Sequence, residues 1–262
     1  MEGRCTMRAV PSLAAAFATF SRVPVPQRLL DRADWTGGAL AALPAVGAVQ
    51  GLVSGAWLVA AHALGVPAPV VAAVLVALPF AVNGGIHMDG FSDVADARSS
   101  HAARERKLEI MKDPHIGAFG VMAIVLYLFM QFSLFACWGP RAGAALALVP
   151  MCALSRALGA LSVVTLPHAR PEGMAAALAG DDSRERATRR ALIVQAVLAA
   201  VLLVVLAGAR GACAAALALA LFAAHRRRCL AEFGGITGDL AGWYIQVSEL
   251  VMEAAIVLGG LY

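Results

Sequence analysis

ALIVQAVLAAVLLVVLAGA, residues 191–209, runs for nineteen residues without a charge, and its reading decides the fold class. A hydrocarbon core about 30 Å thick takes about 20 apolar residues of helix to cross. Past Arg210 and Gly211 comes a shorter run, ACAAALALALFAA at 212–224, closed by His225-Arg226-Arg227-Arg228. In lipid every backbone amide must be paired within its own segment or in a closed barrel. The alternating pattern of barrel strands is absent, so these runs predict helices. Similar runs lie near 37–63, 70–87, 117–138, 143–165 and 243–262. With 191–209 and 212–224 they predict an all-α polytopic transmembrane helix bundle of about seven spans, in which the sixth is short as drawn and is tilted, re-entrant or longer than its apolar run.

Composition agrees. The chain is 60% hydrophobic and 15% charged, with mean hydropathy +0.76. Soluble domains carry about 25% charged residues. No repeat and no linker divides the sequence, so residues 1–262 are expected to form a single integral-membrane catalytic domain. The apolar run from Ala9 to Phe20 resembles the core of a signal peptide. Pro11 interrupts it, however, and Arg22 with Val23-Pro24-Val25-Pro26 follows where a small-residue cleavage site would stand. Residues 1–36 are read as a retained segment at the membrane interface. Cys5, Cys137, Cys152, Cys213 and Cys229 form no CxxC pair and read as small core residues.

The net charge of +4 does not call for nucleic acid as a partner, because its distribution has another cause. Five basic residues precede the first span (Arg4, Arg8, Arg22, Arg28, Arg32). Five follow the second, five follow the fourth, and Arg226, Arg227 and Arg228 follow the sixth. Together they make 18 of the 21, all on one side of the membrane. The opposite loops hold only Arg141 and Arg210, and Arg156 lies within a span. The positive-inside bias predicts a cytoplasmic N-terminus, a C-terminus on the far side, and a bacterial inner membrane as the location. None of the 17 acidic residues falls in an outward loop, which the bias does not require. The chemistry is therefore expected at the cytoplasmic face.

Four constellations carry that chemistry. In Gly84-Gly85-Ile86-His87-Met88-Asp89-Gly90-Phe91-Ser92-Asp93-Val94-Ala95-Asp96 the carboxylates are spaced i, i+4, i+7, one face of a helix. Like charges so placed repel and invite a cation, and oxygen ligands suit Mg²⁺. A solvated acidic helix end is the alternative. His87 reads as a ligand, an acid–base group or an interfacial histidine. In Arg104–Gly120, Glu109 and Asp113 are again i, i+4, and Pro114 ends the helix. Lys112 and the free amides near Gly117 and Gly120 are placed to meet a phosphate, whereas Arg104 to Lys107 reads as a surface charge run. In His168-Ala169-Arg170-Pro171-Glu172-Gly173, Arg170 is either a phosphate clamp or one more positive-inside residue. In Gly234-Gly235-Ile236-Thr237-Gly238-Asp239, Gly234, Gly235 and Thr237 offer a phosphate cradle beside a carboxylate. The last span carries Gln246, Glu249 and Glu253, and Arg156 is the expected counter-ion for this intramembrane charge.

These stretches resemble the cobalamin synthase family, the adenosylcobinamide-GDP ribazoletransferases. The matching segments are FATFSRVPVP at 17–26, GGIHMDGFSDVADA at 84–97, RERKLEIMKDPHIGAFGV at 104–121, HARPEG at 168–173, and GGITGD at 234–239 followed by Ser248-Glu249. The resemblance implies condensation of adenosylcobinamide-GDP with α-ribazole or its 5′-phosphate, release of GMP, and Mg²⁺ as cofactor. It implies Asp89, Asp93, Asp96, Asp113 and Asp239 as metal ligands or acid–base groups, with His87 and Glu249 beside them. It implies Lys112, Arg156 and Arg170 as phosphate contacts. Two departures stand out: Asp96-Ala97 where the family continues Asp-Gly, and Gln246 where an acid often precedes the final Ser-Glu. Two other classes use acids in membranes. A CDP-alcohol phosphotransferase would need Asp-Gly-x-x-Ala-Arg, which Asp89-Gly90-Phe91-Ser92-Asp93 does not continue. A secondary transporter would place its acids near the midplane, often within inverted repeats. Here most of the acids sit at the edge, and a single cavity joining Asp89, Asp113 and Asp239 is expected, with Arg156 and Glu249 lining its membrane-side wall.

Overall fold

The computed structural model describes residues 9–139, 142–180 and 182–259. Arg4, Cys5, Arg8, Arg141 and the end of the last expected span lie outside the described residues. Eleven helices follow in order among the described residues: α1 (Ala9–Phe20), α2 (Gln27–Leu30), α3 (Gly38–Ala63), α4 (Ala68–Asn83), α5 (Ile86–Ser99), α6 (Arg104–Ile110), α7 (Ala118–Ala136), α8 (Ala142–Thr165), α9 (Met174–Ala179), α10 (Asp182–Arg228) and α11 (Gly238–Leu258). A π-helical turn, Cys229–Phe233, follows α10. The bundle is all-α.

Five described helices are long and apolar enough to cross a membrane, or six if the bent pair α4–α5 is counted as one span. Helix α10 and its π turn run for 52 residues to Phe233, about 78 Å if straight. They are not straight. Gly208 has φ +59° and ψ −135°, outside helical space and open only to glycine. The chain doubles back there, so a Cβ on Gly211 would meet the Leu203 carbonyl at 2.1 Å. Thr188 donates to the Gly37 carbonyl, and the Arg226 guanidinium reaches the Thr165 hydroxyl. Arg210 instead packs at the far end of α11. Both ends of the element thus lie at one end of the bundle with Gly208 at the other, and counting the legs separately adds a crossing. The sequence runs 191–209 and 212–224 are these two legs. The second leg is longer than its apolar run, one of the expected alternatives, because its helix continues into the basic tail.

The second expected span is corrected. It stops at Asn83 instead of running to 87, because Gly84 and Gly85 both take left-handed φ, +72° and +83°. The Asn83 side chain accepts from the Gly85 amide at 2.9 Å, fixing the elbow. Helix α5 then leaves α4 at 99°. The acidic run therefore crosses the end of the bundle rather than continuing the span.

Helix α8 is the axis, with 83% of its apolar window buried. Gly47, Gly51 and Gly55 of α3 face it at four-residue spacing. A Cβ at these positions would come within 2.3–2.6 Å of the carbonyls of Cys152, Leu148 and Ala145. Small residues let two backbones approach this closely, the main source of helix association in lipid. The opposite extreme is α7 and α10, whose apolar windows are only 22% buried. Val125, Leu126, Phe129, Val197, Val201 and Val205 are exposed there and form the lipid-facing belt. Helix α1 packs on α3 with Ala14, Ala15 and Ala16 buried. Among the four described cysteines, Cys152 and Cys229 are core residues as expected, whereas Cys137 and Cys213 are exposed.

Candidate active site at the end of the bundle

The elbow at Gly84-Gly85 lays α5 across the first turn of α11. The two backbones touch: a Cβ on Gly90 would lie 2.7 Å from Asp239 Cα, and one on Gly242 would lie 3.2 Å from the His87 carbonyl oxygen. This contact sets Asp89 of α5 beside Asp239 of α11. Thr237 begins α11 by accepting from the Leu240 amide at 3.2 Å, and its hydroxyl donates to Asp239 at 3.4 Å. A short parallel bridge pairs His168 with Ile236, through Ala169 N–H to Ile236 C=O at 2.9 Å and Ile236 N–H to Pro167 C=O at 2.8 Å. It brings Arg170 to the same place, where one guanidinium nitrogen donates to the Leu108 carbonyl at 2.8 Å.

Two cavities meet here. One, about 640 Å³, is lined by Asp89, Asp93, Lys112, Asp113 and Asp239 among others. The second, about 220 Å³, is lined by His87, Asp89, His168, Arg170, Thr237 and Asp239 among others. Asp89 and Asp239 stand on both walls. Asp89, Asp113 and Asp239, far apart in sequence, thus share one cavity. Asp93 is half-buried, and its carboxyl is raised to about 7, first by burial and then by the charges of Asp89, Asp239 and Asp96. Asp113 is exposed at the rim, where the backbone N–H and ring of His115 hold it below the usual carboxylate range. His87 is buried and its imidazole is lowered to about 3, by burial first and by Arg156 second. It is neutral at physiological pH. Among the described residues, no group of three or more His, Cys, Asp or Glu side chains is drawn together tightly enough to hold a metal by itself.

Several expected site residues stand elsewhere. Both oxygens of Asp96 accept from the Gly117 and Gly120 amides, at 2.7 and 2.8 Å. The carboxylate caps α7, and these amides are not free for phosphate. Gly234 and Gly235 are packing residues. Their amides donate to Leu230 and Cys229, and a Cβ on Gly235 would meet the Pro167 carbonyl at 2.3 Å. Arg156 and Glu249 do pair, as expected, but behind the cavities instead of on their walls. Arg156 is 1% exposed, and its guanidinium also donates to Cys152 C=O at 3.2 Å, Ser155 Oγ at 3.0 Å and Gln50 Oε1 at 2.8 Å. Asn83 donates to the same Gln50 oxygen at 2.9 Å, which ties the pair to the elbow.

Other contributors were not marked as site residues by the sequence. Glu232, unremarkable in the chain, receives Arg98 at 3.1 Å and Lys107 at 3.8 Å and so joins α5, α6 and the π turn. Gln246, where the family often has an acid, accepts the Tyr127 hydroxyl at 2.8 Å. Phe20 and Met174 wall the smaller cavity. Phe20 lay within a quoted motif, but nothing marked it as a wall.

Residues 12–257 match the family model described as cobalamin-5-phosphate synthase. The chain is 36% identical over 260 residues to an adenosylcobinamide-GDP ribazoletransferase of Azorhizobium caulinodans, covering 96% of this chain and 97% of the relative. It is 37% identical over 253 residues to that of Pseudomonas aeruginosa PAO1, covering 95% and 99%. To that of Lachnoclostridium phytofermentans it is 30% identical over 252 residues, covering 96% and 95%. No solved structure matches.

Proposed function

Because the chain belongs to the cobalamin-5-phosphate synthase family, we propose that it joins adenosylcobinamide-GDP to α-ribazole, or α-ribazole 5′-phosphate, and releases GMP, in late nucleotide-loop assembly of cobalamin. The observation that carries the reading is the meeting of two cavities on one pair of carboxylates, Asp89 and Asp239. A transfer between two substrates needs two approaches to a single reacting phosphorus. The acceptor's ribose hydroxyl attacks the phosphorus bonded to the cobinamide oxygen. The bond from that phosphorus to the bridging oxygen breaks, and the oxygen leaves with GMP. We assign the hydroxyl proton to Asp239, which faces both cavities and is held in place by the Thr237 hydroxyl. Lys112 faces the diphosphate from the larger cavity and Arg170 the junction from the smaller.

The donor set fits Mg²⁺. Asp89, Asp93 and Asp239 offer only oxygen. Their loose spacing suits an ion that keeps several waters and takes its remaining ligands from substrate phosphates. When bound, Mg²⁺ would neutralise charge on the diphosphate and on the departing phosphate. Arg98, Lys107, Arg170 and Arg226 lie at the end of the bundle that carries the cavities. By the positive-inside bias that end faces the cytoplasm, in a bacterial inner membrane. Electron paramagnetic resonance of Mn²⁺ added to the purified protein tests the metal reading. Wild type and Asp96→Asn should bind it, and Asp89→Asn and Asp239→Asn should bind it much more weakly. Equal binding by all four would reject the site.

A further inference from the structure

The two cavities differ in chemistry as well as in size. The larger is open and polar, rimmed by Asp93, Lys112 and Asp113. The smaller is walled by Phe20, Ile86, Met174, Ala175 and Ile236. Its inner end continues past Phe20, His87 and Ala175 into a slot of about 50 Å³ between Leu40, Leu43, Val163 and Ile245. That slot is lined almost wholly by carbon, deep among core side chains. His87, His168 and Arg170 set polar side chains on the wall of the smaller cavity beside these apolar groups. An apolar pocket with a few converging polar groups is the usual form of a small-molecule site.

Resting on the reaction proposed above, we infer that the two substrates are divided between the cavities: the smaller holds the acceptor nucleoside, its aromatic base against the apolar walls with its edge toward the slot, and the larger holds the nucleotide diphosphate. A benzimidazole is flat and apolar, and it matches the walls set by Phe20, Met174 and Ala175. The ribose then lies toward Asp89 and Asp239, its hydroxyls and ring oxygen within the field of His87, His168 and Arg170. Arg170 is the cation placed to meet a 5′-phosphate on the acceptor. The corrinoid is too large for cavities of about 220 and 640 Å³ and stays outside both. Met174 and Ala175 are therefore specificity-determining residues for the lower base, and Lys112 belongs to the other substrate.

Steady-state kinetics on the purified full chain, with each substrate varied in turn, separates the two sites. Ala175→Phe fills the slot. Met174→Trp narrows its mouth from a position 52% exposed, where the fold tolerates bulk. Each should raise KM for α-ribazole about tenfold or more and leave KM for adenosylcobinamide-GDP within about twofold. Lys112→Ala should do the reverse. If Met174→Trp raised KM for adenosylcobinamide-GDP alone, or left both constants unchanged, the division would be overturned. Quenching of α-ribazole fluorescence by protein without the second substrate gives a readout independent of turnover. Met174→Trp should weaken that binding about tenfold, and unchanged binding would overturn the division even if wild type released no GMP. Absence of GMP release with α-ribazole binding intact and sensitive to Met174→Trp would refute the reaction alone.

Discussion

Replacing Arg156 by Met removes one half of an ion pair with no access to water. Arg156 and Glu249 are 1% and 3% exposed. The guanidinium holds Glu249 and donates to Cys152, Ser155 and Gln50, while Ser155 donates to Glu249 at 2.9 Å. After Arg156→Met, Glu249 keeps the Ser155 hydrogen bond, and Gln50 keeps Asn83 and the Cys152 sulfur. Breaking a buried pair from one side costs about 3–5 kcal/mol, because the remaining charge is stranded. At about 2–4 °C per kcal/mol for a chain of this size, the melting temperature should fall by about 10 °C. Arg156→Met with Glu249→Met removes both charges, and its cost should be well below the sum of the two single changes. The measurement is thermal unfolding of all four proteins in one detergent, followed by tryptophan fluorescence. A single-variant loss under about 1 kcal/mol, or strict additivity in the double variant, would refute a structural role for this pair.

The acidic helix makes the opposite prediction. Asp93 is crowded by like charges, so Asp93→Asn should leave the melting temperature unchanged or higher while reducing turnover by orders of magnitude. Asp96→Ala removes the cap of α7 and should cost about 1–2 kcal/mol in the same unfolding assay, with Mn²⁺ binding retained. Because folding raises the Asp93 carboxyl to about 7, the folded chain holds a proton there that the unfolded chain has released. Asp93's own contribution to metal-free stability should therefore fall as pH rises from the ordinary carboxylate range to about 7 and level off above it; because the lowered His87 contributes the opposite slope, it is read as the difference between wild type and Asp93→Asn. Mg²⁺ favours the ionised form, so its affinity, read by titration, should rise over the same interval. Gly208→Ala forces a side chain into φ +59°, ψ −135° and should cost about 1–3 kcal/mol in thermal unfolding. Reporter fusions at residues 209 and 228 should report opposite sides of the membrane.

Much of this was legible in the chain because lipid imposes a simple rule. A run such as 191–209 has few alternatives to a spanning helix, and the basic clusters mark one face. The four polar constellations were legible as a set, since charge at the edge of so apolar a protein needs a reason. What stayed hidden depended on tertiary contact. Asp89, Asp93 and Asp96 look equivalent at i, i+4, i+7, yet only α7's free amides turn Asp96 into a cap. Gly234 and Gly235 read as a phosphate cradle because glycine serves close approach to ligand and to protein alike, and here the neighbour is the Pro167 carbonyl. The 70–87 run gave no sign of its elbow beyond Gly84-Gly85, because two left-handed residues in succession depend on Asn83 as much as on the glycines. The smaller cavity's walls come from α1, α5, the 168–173 loop, α9 and the start of α11 with the turn before it, which no single stretch displays.

GMP release during corrinoid turnover tests the reaction most directly. Purified protein is given adenosylcobinamide-GDP, α-ribazole and Mg²⁺, and GMP and the corrinoid product are quantified together. The expected result is about one GMP per corrinoid joined, as the transfer requires, lost on chelation of the metal and reduced by orders of magnitude in Asp239→Asn at unchanged melting temperature. Product formed without GMP, or an Asp239→Asn protein turning over near the wild-type rate, would contradict the junction of Asp89 and Asp239 as the site of transfer.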